Sequence, residues 1–159
     1  MSLALPDVRL ALPSDAERIA LMSRDYIEAG LRWSWTAERV QRAIEDRSCN
    51  VAVIDETRGI AAFGIMLYAD ETAHLALLAV SAARRRQGLG RRIMHWLELP
   101  ARMAGILELR LEVRSDNPQA RDFYRRLGFL DESTLRAYYQ GRIDAQRMVK
   151  PLQPATPAL

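Results

Sequence analysis

The chain has 159 residues, 49% of them hydrophobic and 27% charged, with one cysteine and two histidines. That length and balance suit a single globular domain with one sizeable core, and the lone Cys49 excludes an internal disulfide and a cysteine-based metal site. The net charge of +3 is uneven: residues 1–83 hold 8 Arg against 12 Asp and Glu (−4), and residues 84–159 hold 15 Arg and Lys against 8 acids (+7).

A basic half of that size calls for an anionic partner. His74 and His95 are too few and too far apart in sequence for a histidine metal cluster, so no metal is expected. No apolar run approaches the ~18–20 residues of a membrane helix, and Met1–Asp7 lacks a basic start. Neither a membrane contact nor a signal peptide is therefore expected, and the cytoplasm is the expected setting.

In chain order, Val8 to Leu12 reads as a first strand. Ser14 with Glu17 three residues on has the form of a capping box, and the helix it opens carries Ile19, Ala20, Met22, Tyr26 and Ile27 before Gly30 ends it. The aromatic link Leu31–Trp35 follows, and Thr36 caps a second helix running to about Asp46. Cys49 to Ile54 and Ile60 to Tyr68 form a hairpin across the turn Thr57-Arg58-Gly59. His74 to Val80 is almost wholly apolar, as a strand covered on both faces would be.

A helix from Leu89 to about Ala104 comes next, with Gly105 as its stop and Pro100 expected to kink it or loosen its last turn. Leu109 to Arg114 alternates strictly and is a strand. Asn117 and Pro118 open the next helix, whose Ala120, Phe123, Tyr124 and Leu127 share one face, and Gly128 closes it. Phe129 to about Tyr138 and Asp144 to Val149 are the last strands. Residues 1–150 are expected to be one domain, and 151–159, with three prolines, a flexible tail. The order β-α-α-β-β-β-α-β-α-β-β implies a mixed sheet with helices on both faces.

The basic residues gather on Arg84-Arg85-Arg86-Gln87-Gly88-Leu89-Gly90-Arg91, between an apolar strand and a helix. The first amides of a helix lack internal partners and lie at the positive end of its dipole. Two glycines let the backbone curl around an anion, and arginines add charge-assisted contacts. The phosphate-loop pattern ending in Gly-Lys-Ser/Thr is absent because Lys150 is the only lysine, and a dinucleotide fingerprint needs glycine where Ile93 stands. By these residues alone, an anion site and an ordinary glycine turn with surface arginines both stay open.

Arg85-x-x-Gly88-x-Gly90 after an apolar strand resembles the pyrophosphate loop of the GNAT acetyltransferase superfamily. Leu111-Glu112-Val113-Arg114-Ser115-Asp116-Asn117-Pro118-Gln119-Ala120, then Phe123-Tyr124 and Leu127-Gly128-Phe129, is similar to the superfamily's second motif. The likeness covers roughly residues 74–150, including Tyr138-Tyr139 and Asp144-Ala145. Within the superfamily it is most similar to bacterial ribosomal-protein alanine N-acetyltransferases.

The resemblance implies an α/β (α+β) fold: a mixed, mostly antiparallel, twisted sheet of six or seven strands with about four helices on both faces. It implies acetyl-coenzyme A as co-substrate and direct attack by an amine in a ternary complex. Arg85, Arg86, Gln87, Gly88, Leu89, Gly90 and Arg91 would hold the pyrophosphate, and backbone amides of Leu78, Ala79 and Val80 the pantetheine arm. Asn117 would touch the coenzyme. Glu112 would be the general base and Tyr124, also against the coenzyme, the general acid that meets the departing sulfur. Trp33, Trp35, Tyr138 and Tyr139 would line the acceptor pocket.

For each of these residues the pattern alone carries a plainer reading. Leu78–Val80 would be core strand, Glu112 an exposed carboxylate between Arg110 and Arg114, and Tyr124 a core tyrosine. Asn117 would be a helix cap, Trp33 and Trp35 helix-packing residues, and Tyr138 and Tyr139 one inward and one outward strand aromatic. Ile143 stands where the family has an acidic residue before Asp144, so a small-molecule amine or amino acid is the alternative to a peptide N-terminus. A coenzyme-binding sensor without turnover is a third reading. Nucleic acid is not expected, because no aromatic positions interleave with the arginines at 84–91. A monomer or homodimer is expected.

Overall fold

The structure, a computed structural model, describes residues 7–152. Seven strands and four α-helices run through them: β1 (Val8–Leu10), α1 (Ala16–Met22), α2 (Ala37–Glu45), β2 (Cys49–Glu56), β3 (Gly59–Tyr68), β4 (Thr72–Val80), α3 (Leu89–Met103), β5 (Glu108–Arg114), α4 (Pro118–Arg126), β6 (Leu130–Tyr139) and β7 (Ile143–Pro151). The strands form one sheet in the order β1-β2-β3-β4-β5-β7-β6. The β4–β5 pairing is parallel, whereas β1–β2, β5–β7 and β6–β7 are antiparallel. The expected mixed, mostly antiparallel sheet is therefore present. By their contacts the residues fall into two compact units.

The first unit holds the chain up to Met66 and Leu77–Leu97. Ile19 and Ala20 of α1, Val40 of α2, Val53 and Ile54 of β2, Phe63 and Ile65 of β3, and Ile93 and Leu97 of α3 are all buried. Each large side chain among them contributes about 1.5–3 kcal/mol of transfer free energy. Gly64 is glycine for lack of room: a Cβ there would lie 2.7 Å from Ile93 Cγ2 and 2.9 Å from Leu97 Cδ1.

The lead into α1 differs from expectation. A short 3₁₀ turn, Pro13–Asp15, comes first, and Asp15 reaches back to accept from the Leu12 amide at 2.7 Å, so Ser14 is not the cap. α1 ends at Met22 rather than running on to Gly30. One wider turn follows, in which the Glu28 amide donates to the Ser23 carbonyl at 2.8 Å. Such i→i+5 turns cluster at functional sites.

The second unit holds Leu67–Ala76 and the chain from Glu98 on. Within it Thr72–Leu75 pair with Glu108–Leu111, and β5 continues against β7, with Glu112 opposite Arg147. Leu109, Leu111, Phe129 and Met148 are its largest fully buried side chains. β7 runs to Pro151, and Leu152 is buried with its amide donating to the Leu107 carbonyl at 2.8 Å. Those two residues thus belong to the fold, and the rest of the expected tail, 153–159, lies outside the described residues. α3 is helical through Pro100, and the Ala104 amide still donates to the Pro100 carbonyl at 3.0 Å, so the last turn holds.

β4 is not covered on both faces. Ala73, Leu75, Leu77 and Ala79 are buried, while Thr72, His74, Ala76, Leu78 and Val80 are half-exposed. Unbroken hydrophobicity hid this alternation, because the half-open face is itself mostly apolar.

Candidate active site

On β5, Leu109, Leu111 and Val113 are buried and the alternate residues Arg110, Glu112 and Arg114 are not, as period-two alternation requires. Glu112 is nonetheless no surface carboxylate between two arginines. Arg110 turns to Glu108 at 2.6 Å and Arg114 to Asp116 at 2.9 Å, and the Glu112 side chain is only 10% exposed. Its partners come from the neighbouring strands: His74 Nε2 of β4 lies 2.5 Å from Oε2, and Arg147 of β7 donates to Oε1 from Nε at 3.2 Å and Nη2 at 3.1 Å. Burial alone pushes the carboxyl up, but His74 and Arg147 outweigh it and hold Glu112 below the usual carboxylate range.

Tyr124 sits on α4 among aromatic rings, edge-on to Phe123 with centroids 5.1 Å apart and to Phe129 at 5.6 Å. Burial, with a smaller push from Tyr139, holds its phenol well above the ordinary range, so it stays protonated at any physiological pH. Tyr139 is raised likewise, by burial first and then by Tyr138 and Glu112. Glu112, His74, Arg147, Tyr138, Tyr139 and Tyr124 thus form one electrostatically linked group in the second unit.

Tyr138 is exposed and Tyr139 only partly so. Their rings meet edge-on with centroids 5.0 Å apart. Regular strand neighbours would point to opposite faces, but β6 slips register between Leu135 and Tyr139, and Ala137 takes a left-handed φ of 52°. The Asp144 carboxylate accepts from the Ala137 amide at 2.7 Å and pins the bulge. Asn117 caps α4 with its side-chain oxygen accepting from the Ala120 amide at 3.1 Å.

In the first unit, Arg85, Arg86, Gln87 and Gly88 are exposed, Leu89 and Gly90 are buried at the start of α3, and Arg91 is exposed. Arg86 (φ 66°) and Gly88 (φ 75°) both take left-handed backbone, so the loop curls tightly. The Arg85 guanidinium lies 5.5 Å from the centre of the Tyr26 ring, and the Tyr26 hydroxyl accepts from the Ala82 amide at 3.4 Å. The wide turn after α1 thus braces the glycine loop. Leu78 and Val80 are half-exposed beyond the stretch of β4 that pairs with β5.

Neither Trp33 nor Trp35 is fully buried. Trp33 is 37% exposed, with the Arg24 guanidinium 5.7 Å from its ring centre, and Arg39 stacks over Trp35 at 3.9 Å. Their segment is held by Glu28, a buried carboxylate that accepts from Ser23 Oγ (2.9 Å), Ser34 Oγ (2.6 Å), the Ser34 amide (2.8 Å) and the Trp35 amide (3.3 Å).

Sequence reasoning missed His74, Arg147, Tyr26 and Glu28. His74 and Arg147 had a usable signal, since each lies across a strand pairing from the face that carries Glu112; Glu28, four bonds inside a loop, had none. Cys49 is buried, and burial pushes its thiol up to about 11, which makes it a poor nucleophile. Among the described residues no three His, Cys, Asp or Glu side chains gather as a metal site would need, and no helix is long and apolar enough to cross a membrane.

Residues 18–129 match a family model described as acetyltransferase (GNAT) family. The [ribosomal protein bS18]-alanine N-acetyltransferase of Escherichia coli strain K12 is 38% identical over 96 residues, which are 58% of this chain and 65% of that protein. The match therefore spans just under two thirds of that relative's length. The protein of the same name from Salmonella typhimurium is 34% identical over 110 residues, 67% of this chain and 74% of its own length. The crystal structure of the E. coli ribosomal-protein-S18-alanine N-acetyltransferase superposes with a TM-score of 0.78 at 26% identity, covering 96% of this chain and 97% of that one. Ard1 from Thermoplasma volcanium has the same fold, with a TM-score of 0.82 at 24% identity over 94% of this chain and 99% of its own.

Proposed function

The chain belongs to the acetyltransferase (GNAT) family, and from that premise we propose that it moves an acetyl group from acetyl-coenzyme A to a primary amine, with a protein N-terminal α-amine as the acceptor. The observation that carries the reading is Glu112: the motif carboxylate is drawn out of solvent and fixed by partners on both neighbouring strands. An exposed structural carboxylate would have no such surroundings.

The coenzyme's pyrophosphate goes to the loop Arg85–Arg91, whose exposed arginines and left-handed turns suit an anion. The amides of Leu78, Ala79 and Val80 receive the pantetheine arm and supply the donor that polarises the thioester carbonyl. Asn117 touches the coenzyme while capping α4. An α-amine of pKa near 8 is mostly protonated at neutral pH and must lose a proton before attack; Glu112 and its surroundings take it, directly or through a water. Tyr124, held protonated, donates to the departing sulfur. Tyr138 and Tyr139 on the bulged end of β6 receive the acceptor, and in the first unit Trp33 and Trp35, on the segment tied by Glu28, are substrate-binding residues. Attack is direct, as the masked thiol of Cys49 supports. The domain includes Pro151 and Leu152, and the protein works in the cytoplasm as a monomer or homodimer.

The reading is tested by thiol release from acetyl-coenzyme A with peptides of different N-termini, free amino acids and polyamines. Release with peptides, and with alanine-initiated ones above the rest, is expected. Release with small amines alone would replace the peptide acceptor by a small-molecule one, and no release with any acceptor would leave a coenzyme-binding sensor.

A further inference from the structure

We propose that His74, rather than Glu112, is the group that takes the acceptor's proton, with Glu112 as the carboxylate that orients it. The inference rests on the acetyl-transfer reading and deepens it at one residue.

The geometry of the second unit argues it. Glu112 is already committed, with Oε2 against His74 Nε2 and Oε1 shared by two Arg147 nitrogens. To take a proton it would have to give up a pairing on one side or face a guanidinium as a neutral acid. His74 is engaged at one nitrogen only. With Nε2–H donated to a carboxylate, the neutral imidazole keeps its lone pair on Nδ1, the arrangement by which a carboxylate fixes a histidine base. The imidazole is 44% exposed, against 10% for Glu112, so water reaches it far more readily.

Chemistry points the same way. Glu112 is held below the ordinary carboxylate range, which widens the gap to an ammonium of pKa near 8 and weakens it as a base. Imidazoles as a class change charge near neutrality, much closer to that amine. The charged and titratable groups on the neighbouring strands are Glu108, Arg110, Glu112 and Arg114 of β5, of which Glu108 pairs with Arg110 and Arg114 with Asp116, with Arg147 of β7 against Glu112 and Tyr138 of β6 feeling its charge; on β3 the part in this unit, Leu67 and Tyr68, offers one phenol. Glu112 is the one anion in contact with the ring, and it offsets the charge of the imidazolium that forms.

The step balances. Of the ammonium's three protons, one passes through a water to His74 Nδ1 and on to solvent, one finishes on the coenzyme thiol, and one stays on the new amide. The nitrogen lone pair forms the C–N bond, and the C–S bond breaks with its pair on sulfur. Glu112 keeps its charge throughout.

The test is the pH profile of kcat/KM from about pH 5.5 to about pH 9 for the full chain and for His74→Gln, with His74→Asn as a second variant. Thermal unfolding and acetyl-coenzyme A binding serve as folding controls. The wild-type profile is expected to carry an ionisation that depends on His74. Both variants should bind the coenzyme as the wild type does, lose about tenfold or more in rate, and lose that ionisation. An active wild type whose variants keep rate and profile overturns the His74 assignment and leaves acetyl transfer standing. A wild type that turns over no amine overturns the acetyl-transfer reading, and the base with it. Independently of turnover, the ring ¹⁵N spectrum of the wild type should show the Nε2–H tautomer for neutral His74; the Nδ1–H tautomer would contradict the proposal even if the variants failed to fold.

Discussion

Replacing Glu112 by glutamine keeps the side chain's size but removes the charge that His74 and Arg147 share. Acetyl transfer at neutral pH should fall by about 10- to 100-fold with coenzyme affinity nearly intact, read by steady-state kinetics beside a binding titration. An unchanged rate would return Glu112 to a structural role. The same residue carries a pH-dependent share of stability. Its folded pKa lies below the unfolded value of about 4.3, so that share is complete above the unfolded value and is lost as pH falls through the folded one. The gap in melting temperature between wild type and Glu112→Gln should therefore be full near neutrality and narrow as pH falls below the unfolded value of about 4.3 and through the lower folded one. Tyr124→Phe should slow turnover while leaving the fold intact, since its ring contacts to Phe123 and Phe129 survive the loss of the hydroxyl; wild-type turnover in that variant would exclude it as the acid. Glu112 was legible only by its place in a motif. Period-two alternation put it on the open face of β5, and that pattern by itself does not show which side chains the two adjacent strands bring beside it.

Among the elements, the loop into α3 and the segment after α1 make separate claims. Gly88 sits at φ 75° with open space where a Cβ would go, so Gly88→Val meets backbone strain rather than a clash. A cost of about 1–2 kcal/mol at that position should weaken coenzyme binding roughly tenfold by calorimetry; unaltered affinity would undermine the loop as the pyrophosphate site. Glu28→Ala removes the acceptor of four hydrogen bonds and leaves the buried Ser23 hydroxyl without it, at a cost of about 1–3 kcal/mol in denaturant unfolding. The Ser34 and Trp35 amides should then exchange faster with solvent, and unchanged exchange would show that something else holds the tryptophans. Element order was readable throughout because apolar spacing, Thr36, Asn117 and the glycines each act locally. The bulge at Ala137 was not, because it depends on a bond from Asp144 seven residues away. The half-open face of β4 was hidden for another reason: exposure cannot be read from residues that are apolar on both sides of a strand.

For the molecule as a whole, the basic second half of the sequence does not act as one surface. Many of its charges are tied locally, Arg110 to Glu108, Arg114 to Asp116, Arg125 to Asp122 and Asp131, Lys150 to Glu98 and Arg147 to Glu112. The exposed arginines of the glycine loop are what an anionic coenzyme would meet, so binding should weaken as salt rises. The central claim is that one bound thioester and one free amine meet without an acetylated enzyme between them. Its most direct test incubates the protein with isotope-labelled acetyl-coenzyme A, first alone and then with an alanine-initiated peptide, and reads both by mass. The account predicts no label on the protein at any time and one labelled acetyl group on the peptide's α-amine, greatly reduced with Glu112→Gln. Label accumulating on the protein before the peptide is added, or label on the peptide unaffected by Glu112→Gln, would contradict it.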